Sequence, residues 1–183
     1  MMHFSGINFG DTANGPGVRV SLFVSGCSLH CKGCFNQEAW DKDYGQPFNG
    51  RIRSTILEAL RSPWIAGLSL LGGDPLEDYN EPEIRKLCMV VKAMHPDKTI
   101  WLWTGRKLEQ IKDLPTMQYV DAVVCNPFIE HLKCKGKYYG SSNQRIYYAS
   151  KRGGIAHWES AEDVEPIVQY LALESTDESE GAV

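Results

Sequence analysis

The sequence predicts an α/β protein built as an open, partial (β/α) barrel with a mostly parallel sheet. Short β-rich runs alternate with amphipathic helical patterns through most of the chain, the order expected when crossover helices join parallel strands. The strands are too few to close a full eight-stranded barrel. Three loops that carry chemical side chains each follow a strand, and ligands in such folds bind beyond the carboxyl ends of the strands.

Val18-Arg19-Val20-Ser21-Leu22-Phe23-Val24 is rich in β-branched and aromatic residues and reads as the first strand. It runs into a cysteine loop, residues 25–36. Residues 50–61 place Ile52, Ile56, Ala59 and Leu60 on one helical face, with Asn49 as cap. Residues 67–71 form an apolar strand that stops at Gly72-Gly73-Asp74-Pro75. A helix follows: Asn80 and Glu83 have capping-box spacing, Pro82 fits a first turn, and Ile84, Leu87, Cys88, Val91 and Met94 form the apolar stripe. Residues 99–103 read as a strand ended by Thr104-Gly105, 106–113 as a short helix, 120–125 as a strand and 145–148 as another. A terminal helix is expected over 157–173. Residues 1–173 are expected to form one domain; the acidic tail, 174–183, holds almost no large apolar group and is expected to be disordered.

Composition narrows the function. A net charge of -4 argues against general affinity for nucleic acid or an anionic membrane. No apolar run approaches the about 20 residues that span a bilayer, and the start has neither the basic region nor the apolar stretch of a secretory signal. The cytoplasm is the expected compartment. Three of the six cysteines crowd into Cys27-x-x-x-Cys31-x-x-Cys34; in a reducing compartment such a cluster holds metal or does redox chemistry more readily than it forms disulfides.

The loop admits three readings. A structural zinc normally takes four ligands, with His30 the available fourth. A disulfide would leave one thiol over. An iron–sulfur cubane normally takes four cysteines, so with three, one iron stays open to bind substrate. Iron–sulfur is the leading reading and zinc the second. By itself, Gly72-Gly73-Asp74-Pro75 is a tight turn that also permits close approach of a ligand.

Cys-x3-Cys-x2-Cys directly after a strand resembles the signature of the radical S-adenosylmethionine superfamily, and Gly72-Gly73-Asp74 resembles its Gly-Gly-Glu motif. The resemblance implies a partial barrel of that superfamily's type. It also implies a [4Fe–4S] cluster on Cys27, Cys31 and Cys34, whose open iron chelates S-adenosylmethionine and whose electron cleaves it to methionine and a 5′-deoxyadenosyl radical. Gly33, Cys34, Phe35, Gly73 and Asp74 are the implied cofactor-binding residues. Finer features come in order: Asp11-x-x-Asn14-Gly15-Pro16-Gly17-x-Arg19, Cys34-Phe35-Asn36 with Trp40 nearby, Gly45-Gln46-Pro47-Phe48, Trp101-Leu102-Trp103-Thr104-Gly105 and Gly140-Ser141-Ser142-Asn143-Gln144. Over residues 6–148 the set is similar to the family of activating proteins of the anaerobic ribonucleoside-triphosphate reductase. This implies hydrogen abstraction from one backbone glycine of the reductase, with a low-potential electron donor such as flavodoxin. The alternatives are another glycyl-radical enzyme or a small molecule as target, or a zinc-stabilised interaction module without catalysis. Phe35 stands where family members often have Tyr, and Cys125-Asn126-Pro127-Phe128 stands where Asp-Gly before Lys-Phe is common.

Elsewhere the plainer readings lead. Asn14–Gly17 is a turn. Arg19, on a buried strand, calls for a partner such as a carboxylate. Cys88 and Cys125 are core, and Cys134, between Lys133 and Lys135, is an exposed spectator thiol. Trp101 and Trp103 share one strand face and pack in the core. Lys133, Lys135 and Lys137 lie on a solvated loop, and Ser141, Ser142 and Asn143 form a polar turn.

Overall fold

The computed structural model describes residues 1–152 and 155–162. The strands are β1 (His3–Asp11), β2 (Val18–Val24), β3 (Gln46–Pro47), β4 (Ile65–Gly72), β5 (Thr99–Trp103), β6 (Ala122–Cys125), β7 (Arg145–Arg152) and β8 (Ile155–Ser160). Helices α1 (Gly50–Leu60), α2 (Glu81–Met94) and the short α3 (Leu108–Ile111) connect the central strands. All eight strands join one sheet in the order β3-β1-β2-β4-β5-β6-β7-β8. Its centre, β2-β4-β5-β6, is parallel, and both flanks are antiparallel. Among the described residues β3 and β8 are the two edges, so the sheet is open.

The parallel centre follows the sequence expectation, because each crossover carries a helix. The flanks do not. β1 precedes the strand read as first. β8 takes residues 157–160 from the expected terminal helix; residues 163–173 of that helix and the acidic tail lie outside the described residues.

Alternation along the central strands sorts side chains onto two faces. Val20, Leu22, Leu68, Leu70, Ile100 and Leu102 point to one face and pack with Ile56 and Leu60 of α1. From α2, Ile84, Leu87, Cys88 and Val91 join the same core. Cys88 and Cys125 are core thiols as expected, and burial pushes both up to about 12. Met94, assigned to the α2 stripe, is instead 58% exposed: it sits in the last turn, where the helix leaves the core. The Asn49 side chain accepts from the amides of Arg51 and Ile52 and caps α1 as predicted. Asn80 makes no such cap. Its Nδ2 donates to the carbonyls of Ser25 (2.9 Å) and Asp74 (3.1 Å), tying two loops together.

The opposite face of β2 and β4 holds Arg19, fully buried, and among the described residues no carboxylate partners it directly. Its Nε donates to Ser69 Oγ at 2.7 Å and its Nη1 to Thr99 Oγ1 at 3.0 Å. The carbonyls of Pro16, Leu68 and Thr99 take its remaining hydrogen bonds. The guanidinium carbon stands 5.9 Å from the Trp101 ring centroid. Burial lowers the pKa to about 10, against the opposing pull of Asp121 and Asp11. Gly67 makes room, since a Cβ there would stand 2.9 Å from Arg19 Nη2. Arg19→Met keeps much of the volume but leaves several buried acceptors without a donor. We expect a loss of about 3 kcal/mol or more in urea unfolding; a loss below about 1 kcal/mol would show that those carbonyls are already satisfied by the sheet.

Candidate active site

The loops that end β2, β4 and β5 meet over the carboxyl edge of the parallel centre. The cysteine loop leaves β2 at Val24 and is fastened at both ends. Gly26 N–H donates to Ala39 O (2.7 Å), Cys27 N–H to Trp40 O (3.2 Å) and Cys34 N–H to Cys31 O (3.1 Å). Between them His30 takes a left-handed backbone (φ 45°) and stacks on Trp40 with ring centroids 4.6 Å apart. Cys27, Cys31 and Cys34 are half-buried and carry free thiols.

All three thiols line one cleft of about 330 Å³, within the range of small-molecule sites. Gly33 and Phe35 share its wall. Gly72 and Gly73 line it from the second loop, and Trp103, Thr104 and Gly105 from the third. Phe35 is 86% exposed and stands at the mouth. The two tryptophans pack together as their shared strand face predicts, with ring centroids 5.7 Å apart: Trp101 is buried with Ala122 and Val124, and Trp103 beside it also lines the cleft and donates Nε1–H to Tyr138 O at 2.7 Å.

Asp74 lies beneath this surface at 1% exposure and is not part of the cleft lining. Its Oδ1 accepts from Leu76 N–H (2.9 Å) and its Oδ2 from Thr104 Oγ1–H (2.7 Å). Burial raises its pKa, while those two hydrogen bonds and Arg106 pull the other way. Asp74 therefore fastens the glycine loop to the Thr104-Gly105 loop. Glu77, three residues on, reaches the cysteine loop: Oε1 accepts from both Ser28 N–H and Ser28 Oγ–H at 2.7 Å. Its Oε2 pairs with Arg106 Nη2 at 3.3 Å.

A fourth wall comes from the segment after β6. Asn126 sits at φ 83°, a conformation open to Gly or Asn, so the sequence there keeps the turn without a glycine. Asn126 Nδ2–H donates to Asn143 O, and Asn143 Nδ2–H donates back to Pro127 O at 2.8 Å. Gln144 Oε1 accepts from the amides of Gly140 (2.8 Å) and Ser141 (3.2 Å). The polar 140–144 turn is thus a brace for residues 126–129. It holds Phe128, Lys133 and Tyr138 at the cleft. Cys134, expected as an exposed spectator, is half-buried and lines the cleft too.

The thiols suit a soft metal centre chemically. Among the described residues no three His, Cys, Asp or Glu side chains converge on one ion-sized point, and the sulfurs face the cleft as separate donors. Burial, aided by the nearby Asp74 and Glu77, pushes the Cys27 thiol up to about 11. A cationic centre would reverse that balance, since a coordinating thiol is deprotonated outright. None of the six cysteines is in a disulfide.

Residues 13–147 match the family model of the 4Fe-4S single cluster domain. The chain is 44% identical over 137 residues to the anaerobic ribonucleoside-triphosphate reductase-activating protein of Enterobacteria phage T4, covering 75% of this chain and 88% of that one. The protein of the same name from Escherichia coli strain K12 is 42% identical over 144 residues, 75% of this chain and 93% of that one. The chain belongs to this family of reductase-activating proteins. Another relative of that name, from Vibrio cholerae, is 40% identical over 142 residues, again 75% of this chain. The match to the 4Fe-4S single cluster domain, residues 13–147, takes in the cysteine loop, the glycine loop and the 140–144 brace together. A 4Fe-4S domain in this family favours the iron–sulfur reading of the three thiols over zinc. Among the described residues no helix is long and apolar enough to cross a membrane.

Proposed function

We propose that this chain activates an anaerobic ribonucleoside-triphosphate reductase by radical S-adenosylmethionine chemistry, leaving a glycyl radical on the reductase. The observation that carries the reading is the meeting of three free thiols with the Gly72-Gly73 backbone on one cleft, in a member of the activating-protein family. The parallel centre β2-β4-β5-β6 is read as the superfamily's partial barrel, and residues 1–173 as one domain built on it.

Cys27, Cys31 and Cys34 would hold the [4Fe–4S] cluster. When bound, the cluster would supply the electron for reductive cleavage of S-adenosylmethionine, the source of the radical that would take hydrogen from the target glycine. The protein's own part is to bind, orient and exclude water. Gly73 offers backbone close to the thiols, Gly33 and Phe35 wall the cluster side, and Trp103 offers a flat apolar surface for a nucleobase. Asp74, buried, holds the Gly73 backbone in place. An acidic chain with an exposed aromatic at the cleft mouth suits a protein substrate better than nucleic acid. The chemistry requires a low-potential electron donor, such as flavodoxin, and the cytoplasm is the proposed compartment.

Asp74→Ala removes the tie to Thr104 but no thiol. We expect S-adenosylmethionine affinity to fall about tenfold, the effect of one buried hydrogen bond to a charged group, with iron content unchanged; unchanged affinity in a titration would remove Asp74 from the site. The reading as a whole is tested by 5′-deoxyadenosine release from the anaerobically reconstituted chain with S-adenosylmethionine and a strong reductant. Release supports it. Tightly bound zinc without release would replace it with a zinc-stabilised interaction module.

A further inference from the structure

Between Cys27 and Cys31 the cysteine loop has little structure of its own. It is neither helix nor strand, and Ser28, Leu29 and His30 are all exposed. Its contacts from outside include the His30–Trp40 stack, Leu29 against Gly105 and the hydrogen bonds from Ser28 to Glu77. Glu77 is a buried carboxylate, at 6% exposure, on the same turn as the buried Asp74. Its backbone is fixed, because Glu77 N–H donates to Asp74 O and Glu77 O accepts from the amides of Asn80 and Glu81 at 2.8 Å. From that rigid turn one oxygen takes two hydrogen bonds from Ser28 and the other meets Arg106. The Arg106 backbone in turn supports the fourth wall, where Asn126 N–H donates to Arg106 O at 3.0 Å. One carboxylate therefore joins the loops after β2, β4 and β5.

We propose that Glu77 is a positioning residue for the cysteine loop. It sets where the Cys27–Cys31 segment stands relative to Gly73, and so sets S-adenosylmethionine affinity, without being needed to retain iron. The last part rests on the activase reading above; the fixing of the loop does not. Charge-assisted bonds from a buried carboxylate are stronger than neutral ones, which suits the task of holding an exposed loop still. Nothing local in the sequence signals the link, since Ser28 and Arg106 stand 49 and 29 residues from Glu77.

The test uses the full chain reconstituted anaerobically with iron and sulfide, as wild type, Glu77→Ala and Glu77→Gln. Hydrogen–deuterium exchange is read on peptides spanning residues 26–31. S-adenosylmethionine affinity is read from the spectral change of the reduced protein in electron paramagnetic resonance. In Glu77→Ala we expect loop exchange at least about tenfold faster, affinity weakened about tenfold and iron per chain unchanged. Glu77→Gln keeps an acceptor for Ser28 and should return both readouts to within about threefold of wild type. Wild-type exchange and affinity in Glu77→Ala would overturn the proposal. So would equal damage in both variants with loss of iron and a lowered melting temperature, which marks a merely structural residue. If the iron-loaded wild type shows no response to S-adenosylmethionine, the activase reading falls. Loop exchange then decides the positioning role by itself: rescue by Gln upholds it, and no change in Ala overturns it.

Discussion

Cys34→Ala leaves a folded chain that releases no 5′-deoxyadenosine above the level of the iron-free protein. The two halves of that outcome have separate causes. The fold survives because Cys34 contributes its amide, not its thiol, to the loop: its N–H donates to Cys31 O at 3.1 Å, and Ala keeps that N–H. The thiol is half-buried at the cleft rather than packed in the core, so its removal costs at most about 1 kcal/mol and the melting temperature moves by a few degrees. The chemistry is lost because two thiols remain where the proposed cluster needs three, with no replacement ligand among the loop's other side chains except His30, which is stacked on Trp40. Iron and sulfide analysis should show the cluster depleted. A Cys34→Ala chain that still cleaves S-adenosylmethionine at a wild-type rate would remove Cys34 from the cluster.

Gly72→Ala should do the opposite: it damages the fold and the site together. Gly72 ends β4 opposite Val24 at the end of β2. Its φ of 110° is one that L side chains rarely adopt, and a Cβ there would stand 2.5 Å from Val24 O and 2.6 Å from Val24 N. Both neighbours are backbone in the middle of a sheet, so they cannot swing aside. Strain of this kind costs about 1–3 kcal/mol before the clash is added, and we expect at least about 3 kcal/mol in total. For a chain of this size that lowers the melting temperature by about 6–12 °C. The same shift displaces Gly73 N–H from Val24 O, now at 2.7 Å, and with it the backbone that faces the thiols. Thermal unfolding by circular dichroism checks the prediction; a fall below about 2 °C would mean that the strand end relaxes freely.

What the sequence shows and what it hides divide along the range of the interaction. The Asn49 cap is local: its side chain bonds two and three residues ahead, and the spacing reveals it. Asn80 has a comparable local signature, yet its amide is drawn to carbonyls 55 and 6 residues away, and no capping rule can anticipate that. β2, β4 and β5 are legible because buried parallel strands are apolar runs. β1 is not, because its residues alternate irregularly between buried and exposed and two register shifts break its pairing with β2. β8 reverses the expected helix because β7 extends four residues beyond the predicted 145–148 and offers it an edge.

At the site the same rule holds. Three cysteines within eight residues, and two glycines after an apolar strand, are visible in the chain itself. Their meeting follows from the fold class, since loops after parallel strands share one rim. The partners that fix those loops come from far away in sequence. Arg19 drew an expectation of a carboxylate, but two hydroxyls and three carbonyls satisfy it. Cys134 sits in a lysine-rich stretch that reads as solvated, yet its N–H donates to Gly140 O at 3.0 Å and the residue lines the cleft.

The proposed activity ends with a radical on a glycine of the reductase. The direct measurement is electron paramagnetic resonance of an anaerobic mixture of the iron-loaded chain, S-adenosylmethionine, reductant and a purified anaerobic ribonucleoside-triphosphate reductase. A doublet from one α-hydrogen that collapses to a singlet when the reductase carries deuterated glycine is the predicted result. Release of 5′-deoxyadenosine with no glycyl signal on the reductase would contradict the claim and move the target elsewhere.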